Sequence, residues 1–245
     1  MRWAFKRQFL YALGVLLVVA LLGTGVWLVF FYHAPSCSDG VQNKDEVGVD
    51  CGGSCKKLCQ APRVSALWVR AVPVAQGVYH AVALVRNPET DAGTSALPYT
   101  FSLYDDKDIL IAERRGTMRL EPNDIVPLFE ANIITGNRIP ARTFIDFGKS
   151  VWEKMVKSDN PIRIVSQSLD QDALTLSAHI ENLTALSIVS TAVTALLYDV
   201  DGTLVNASQT TITDLPARAE KDIIFTWQLP FSKPVVRVEI TPRVQ

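Results

Sequence analysis

The chain has 245 residues, with 24 basic and 25 acidic side chains and a formal charge of −1 at pH 7. That balance gives no electrostatic reason to expect nucleic acid, since binding a phosphate backbone calls for a surplus of Lys and Arg. Four cysteines all fall between positions 37 and 59, and the apolar residues are concentrated first in one long run and then in many short ones.

Residues 1–8 form a short tail containing Arg2, Lys6 and Arg7, and no charge occurs from Phe9 to Tyr32. At 1.5 Å rise per residue, about 20 apolar residues span the hydrocarbon core of a bilayer. Residues 9–32 are therefore expected to be a transmembrane helix in contact with lipid. Tyr11 lies near its inner end and Trp27 and Tyr32 near its outer end, where aromatic rings favour the headgroup level. The basic tail predicts a cytoplasmic N-terminus and an extracytoplasmic C-terminus, in a single-pass protein of the cell membrane. A secretory signal has a shorter apolar region, about 7–15 residues. Ala34-Pro35-Ser36-Cys37 only partly resembles a lipoprotein processing site, for it lacks the leucine.

Residues 33–60 form a cysteine-rich module. It is too polar to bury an ordering core, so it needs staples. Cys37, Cys51, Cys55 and Cys59 are expected to form two disulfides, with three connectivities open, or alternatively to hold zinc. Asp39, Asn43, Asp45, Glu46 and Asp50 offer oxygen ligands beside Gly40, Gly48, Gly52 and Gly53, which makes calcium a candidate cofactor. The same residue types also form turns without any metal. The form C-x-DG-x-x-N-x-DE-x-x-VDCGG-x-C-x-x-x-C resembles a short element recurrent in bacterial exported and surface proteins. That resemblance implies location rather than activity.

After Gln60 short runs rich in β-branched and aromatic residues alternate with Pro, Asn, Asp and Gly. Val64 to Val74, Val78 to Arg86, Tyr99 to Tyr104, Ile109 to Glu113, Ile125 to Ile134 and Arg142 to Phe147 are predicted strands. Val151 to Lys157 reads as a helical turn, a linker or an edge strand. Two halves overlay: Tyr104 and Tyr198, and Pro122 and Pro216, are 94 residues apart, while Asn87 and Asn182 are 95 apart. The expected architecture is mainly β, with two tandem antiparallel sandwiches at 61–150 and 161–245 joined by a linker at 151–160. Phe101-Ser-Leu-Tyr104-Asp105 resembles the name motif of the FxLYD family, and Ala195-Leu-Leu-Tyr198-Asp199 departs from it at the aromatic position. The resemblance implies immunoglobulin-like sandwiches on an envelope protein, without a known catalytic site.

Asp199-Val-Asp201-Gly202-Thr203 looks like the nucleophile motif of haloacid-dehalogenase-type phosphatases, in which one Asp attacks phosphorus and the next works as acid or base. Only 41 residues follow Leu204, too few for the crossovers of a doubly wound sheet, and a hairpin turn at Asp201-Gly202 explains the same residues. His33, His80 and His179 are scattered, and no catalytic residue is assigned. Asn182-Leu-Thr184 and Asn206-Ala-Ser208 have the form of glycosylation sequons. Trp68 and Trp227 are expected in cores, whereas Trp152 is the candidate binding anchor. The functional expectation is an extracytoplasmic binding or scaffold module for an unidentified envelope protein. The alternatives are a passive spacer and, remotely, a phosphatase acting through Asp199 and Asp201.

Overall fold

The computed structural model describes residues 2–30 and 36–244, which divide into two compact units, Met1–Cys55 and Lys56–Gln245. Tyr32, His33 and the Ala34-Pro35 part of the processing-site reading lie outside the described residues.

The first unit begins with helix α1, Arg2–Phe30. Its stretch Phe5–Phe30 has a mean hydropathy of 2.5 and no buried face, so the apolar surface runs all the way round. At about 1.5 Å per residue it is long enough to cross a bilayer, and its position near the N-terminus would suit a signal sequence equally. Cys37 is bonded to Cys55, and Cys51 and Cys59 are also disulfide-bonded, which selects one of the three connectivities and leaves no thiolate for zinc.

The second unit is built from antiparallel strands. In its first half these are β1 (Ser65–Ala75), β2 (Val78–Asn87), β3 (Ala92–Tyr104), β4 (Leu110–Leu120), β5 (Asp124–Ile134), β6 (Arg142–Phe147) and the short β7 (Glu153–Lys154). The second half contributes β8 (Ile162–Asp170), β9 (Thr175–Asn182), β10 (Ile188–Tyr198), β11 (Leu204–Leu215), β12 (Glu220–Thr226) and β13 (Arg237–Val244). Sheets β1-β2-β5 and β4-β3-β6 belong to the first half; β8-β9-β12 and β11-β10-β13 repeat the same order in the second. Equivalent strands thus take equivalent places, as the repeat in the sequence requires.

Alternation along each strand sends every second side chain inward. Phe101 and Leu103 on β3, Ala83 and Val85 on β2 and Leu128 on β5 fill the first core. Val193, Ala195 and Leu197 on β10, Ala178 and Ile180 on β9 and Phe225 on β12 fill the second. Tyr99 packs across the bare backbone of Gly116, where an added Cβ would meet its ring at 2.5 Å or less, and its hydroxyl donates to Glu130 at 2.6 Å. Burial and the neighbouring carboxylate push the Tyr99 phenol well above its ordinary range.

β3 and β4 run further than their apolar cores suggest. β4 continues through Arg114, Arg115 and Arg119, whose side chains are solvent-exposed, and β3 begins before Pro98 with a register irregularity between Thr94 and Leu97. Residues expected to link the two halves are partly absorbed into the first sheet. Glu153–Lys154 pairs with Ala92 and Gly93, Leu58 donates to the Trp152 carbonyl at 2.8 Å, and Lys57 bridges to Glu153. Of the three readings for this segment, the edge strand is the one observed. Trp152 is only 3% exposed and belongs to the first core, so it fills space between sheets and is not free to serve as a binding anchor.

Candidate functional site

The residues that recur in both halves turn out to hold turns together. Asn87 and Asn182 end β2 and β9 with side chains at most 1% exposed. Asn87 donates through Nδ2 to the carbonyls of Ala92 and Glu121 and accepts from Glu89 N–H. Asn182 donates to the carbonyls of Leu186, Leu215 and Pro216 and accepts from Thr184 N–H and its hydroxyl. One buried amide thereby ties the loop after its own strand to the turn that follows the fourth strand. Both sequon asparagines are buried, Asn182 fully and Asn206 to 5% exposure, so neither presents its amide to a glycosylating enzyme.

The aspartates of the Leu-Tyr-Asp motif play a second matched role. Asp105 Oδ1 accepts from Lys107 and Ile109 N–H, and Oδ2 faces Arg138 at 3.3 Å. Asp199 Oδ1 accepts from Asp201 and Thr203 N–H, and Oδ2 accepts from Lys233 at 2.6 Å. Lys233, then the Thr203 amide, lowers the Asp199 pKa; the Ile109 amide does most to lower that of Asp105. Asp199 is 3% exposed and both its oxygens are engaged, Oδ1 by the turn amides and Oδ2 by Lys233, so the side chain clamps its own turn. Asp201 is exposed and 3.9 Å from Lys233. The pair closes a hairpin turn through Gly202, at φ +73°.

In the disulfide-bonded segment the candidate calcium ligands are likewise spent on turns. Asp39 accepts from Ser36 and Val41 N–H and from Asn43, Asp50 accepts from Gly40 N–H, Asp45 accepts from Ser54, and Glu46 accepts from Asn43 N–H. These bonds, the Val41 amide foremost for Asp39 and the Ser54 hydroxyl for Asp45, lower both carboxyl pKa values. Among the described residues, no three of these carboxylates bring oxygens within 4.8 Å of one another; the cluster that does meet that distance joins Glu46 to Cys37 and Cys55, whose sulfurs are bonded to each other. A calcium cage needs 6–8 converging oxygens. The four carboxylates do not by themselves converge to supply that set.

The two described histidines lie in opposite surroundings. His80 on β2 packs on Phe129 at 4.7 Å between ring centroids, accepts Asn132 N–H through Nδ1, and has its pKa lowered to about 4 by burial. His179 on β9 is gripped by Asp222 at 2.7 Å and Glu220 at 3.0 Å, which raise its pKa.

A third apolar cluster was not foreseen. Val72 and Val82, with Trp68 and Phe129, leave the outer face of β1-β2-β5 and pack on Leu196, Tyr198, Ala207 and Leu204 on the outer face of β11-β10-β13. Trp68 meets Tyr198 edge-on at 6.3 Å, and Arg237 lies over the other side of that ring at 4.0 Å. Beside it Arg243 reaches the Arg119 carbonyl and lies 3.7 Å from Asp124, which also pairs with Lys157. The two sandwiches are therefore joined front to back by a buried seam. The signal was present in the sequence: β2 and β10 are apolar on both faces, as strands covered on both sides must be.

What remains open is the outer face of β8-β9-β12, which carries His179, Asp222, Glu220 and the Arg163–Glu181 pair, and the edges of the first sandwich. Between edge strands β1 and β6 runs a groove of about 350 Å³ lined by Val69, Arg70, Ala71, Arg142 and Phe144 among others.

No family model matches the chain, and no curated protein is similar to it. Two solved structures of Bacteroides uniformis β-glucuronidase, one of them of β-glucuronidase 2 carrying a covalently bound cyclophellitol-6-carboxylate aziridine, match 70% of this chain at 15% identity, with TM-scores of 0.24 and 0.25. The match spans 25% of the length of either enzyme chain.

Proposed function

We propose that the chain is a membrane-anchored extracytoplasmic protein whose two sandwiches, immunoglobulin-like as the FxLYD resemblance implies, form one module for binding another envelope protein. The observation that carries this reading is the division of labour among side chains. The recurrent Asn and Asp residues are consumed in holding turns, while the first sandwich keeps open strand edges and exposed apolar side chains, Phe144 on edge strand β6 at 52% and Ile139 in the loop leading into it at 72%. Open edges and apolar rims are where β domains take partners. The oxidised cysteines support a compartment that permits disulfides, and the apolar helix supports an anchor.

The test is photo-crosslinking in cells. A photoreactive residue replacing Phe144 or Ile139 in the full chain is expected to capture one discrete protein, and one replacing exposed Leu186 is expected to capture none. Absence of any adduct from either sandwich overturns the binding reading.

The buried seam favours the spacer as a second reading, because a jointless pair of sandwiches holds a fixed length. Replacing both with unrelated sandwiches of equal length preserves function only in that case.

A further inference from the structure

We infer that the groove between β1 and β6 takes an extended peptide segment of a partner protein, which adds as a new strand beside β6. The inference rests on the binding reading above and names its contact.

The two sandwiches differ at one edge. Strands β6 and β13 are both edges, each paired with a single neighbour, β3 or β10. Gly148 N–H donates to the Pro98 carbonyl in the β3–β6 register, which sets the phase of that ladder. Hydrogen-bonded pairs alternate in an antiparallel ladder, so Phe144 and Asp146 direct their amides and carbonyls to β3 while Thr143, Ile145 and Phe147 direct theirs outward. The matching outward positions on β13 are Val238, Ile240 and Pro242, each 95 residues on and each facing the equivalent partner.

In the second sandwich two of the three outward carbonyls are capped, and one of the three outward N–H groups is missing. Gln167 donates to the Val238 carbonyl, Asn160 donates to the Pro242 carbonyl, and Pro242 has no N–H to offer. Gln171 closes the end of the strand by bonding both the N–H and the carbonyl of Val235. Proline and side-chain caps are the devices by which a sheet edge refuses another strand.

None of these devices occurs on β6 of the first sandwich. Phe147 stands where Pro242 does. Val69 takes the place of Gln167, for they pair with Ala83 and Ala178, which are themselves 95 apart (178 − 83). Among the described residues no side chain caps the backbone of Thr143, Ile145 or Phe147. The backbone there asks for a strand, and the groove tells which one. Val69 and Ala71, half-buried against the first core, line it together with exposed Phe144, so alternate apolar side chains of a peptide would find apolar partners. Among the described residues Arg70 bonds only its neighbour's carbonyl, that of Val69, so its charge is available to a carboxylate on the peptide.

The full chain in detergent is used to select nine-residue peptides from a random display library. Selected peptides are expected to alternate apolar and polar residues with an acidic residue near one end, and to slow amide exchange at Ile145 and Phe147. Val69→Gln, which installs the cap of the second sandwich, is expected to weaken their binding at least ten-fold. Arg70→Glu, an exposed change that leaves the core untouched, is expected to weaken it as well, with melting unchanged. Binding to either variant as tight as to the native chain, or enrichment of no peptide over a Val69→Gln control, overturns the proposal. A dimer that Val69→Gln dissociates overturns it in favour of a second copy of this chain at the edge. None of these results alters the cellular crosslink, so a partner captured without edge pairing would retain the binding reading and reject this contact alone.

Discussion

Asn87 and Asn182 show how much of the residue-scale design rests on buried amides. Changing either to Ala strands backbone carbonyls away from water, at a cost of about 2–3 kcal/mol. Chemical denaturation of each variant is expected to lower the midpoint without changing its slope. The recurrence of Asn near strand ends was legible in the sequence, but its partners were not, because they lie 34 residues away, as with Asn87 and Glu121.

Two histidines give pH dependence of opposite sign. His80, held to a pKa of about 4 against an ordinary 6.5, stays neutral when folded while the unfolded chain takes up a proton. Stability is then fully present above 6.5 and is lost as pH falls toward 4, by about 1–2 kcal/mol after solvent screening. His179, with its pKa raised by Asp222 and Glu220, contributes below 6.5 and loses that contribution as pH rises through its folded value. Thermal melts from pH 4 to 8 should therefore flatten on the acid side in His80→Phe and on the neutral side in His179→Gln.

At the scale of elements, the most informative strands are those that do not alternate. β9, Thr-Leu-Ser-Ala-His-Ile-Glu-Asn, has one apolar face and one polar face, and its outer face is solvated. β10, Ile-Val-Ser-Thr-Ala-Val-Thr-Ala-Leu-Leu-Tyr, is buried along most of its length because a second sheet covers it. Periodicity locates strands well and partners poorly, which is why six strands of the first sandwich were legible while the seam between sandwiches was not. Trp152 was misplaced for a related reason: a lone Trp between predicted strands carries no phase, and its backbone is held by Leu58 while the next two residues pair with β3. Trp68→Ala should cost about 2–3 kcal/mol and free the sandwiches to move separately. Small-angle scattering is expected to broaden its distance distribution, and calorimetry to resolve two transitions where the native module gives one. Gly116→Val is expected to expel the Tyr99 ring and unfold the first sandwich alone.

On the scale of the whole molecule, two kinds of order coexist. The sandwiches stand on burial, whereas residues 36–55 have few buried apolar side chains besides Cys51 and Cys55 and depend on covalent closure. An 18-residue separation between Cys37 and Cys55 corresponds to a loop-closure contribution of about 3 kcal/mol. Under reduction, trypsin is expected to cut after Lys44 while the sandwich transition in calorimetry persists; loss of that transition on reduction would show that the sandwiches require the bridges. The cysteine spacing announced the staples without announcing their connectivity, since pairing depends on turns that only Gly53, at φ +56°, and its neighbours can make.

The ionic outer face of β8-β9-β12 has a consequence for growth by duplication. Front-to-back stacking uses an apolar front, and the first sandwich has one in Trp68, Val72 and Val82. The corresponding front of the second is occupied by His179, Glu181 and Asp222, whose desolvation no incoming sandwich would repay. Such a surface works as a terminator at its own end: a further copy of the unit cannot stack on that face until the face is rewritten.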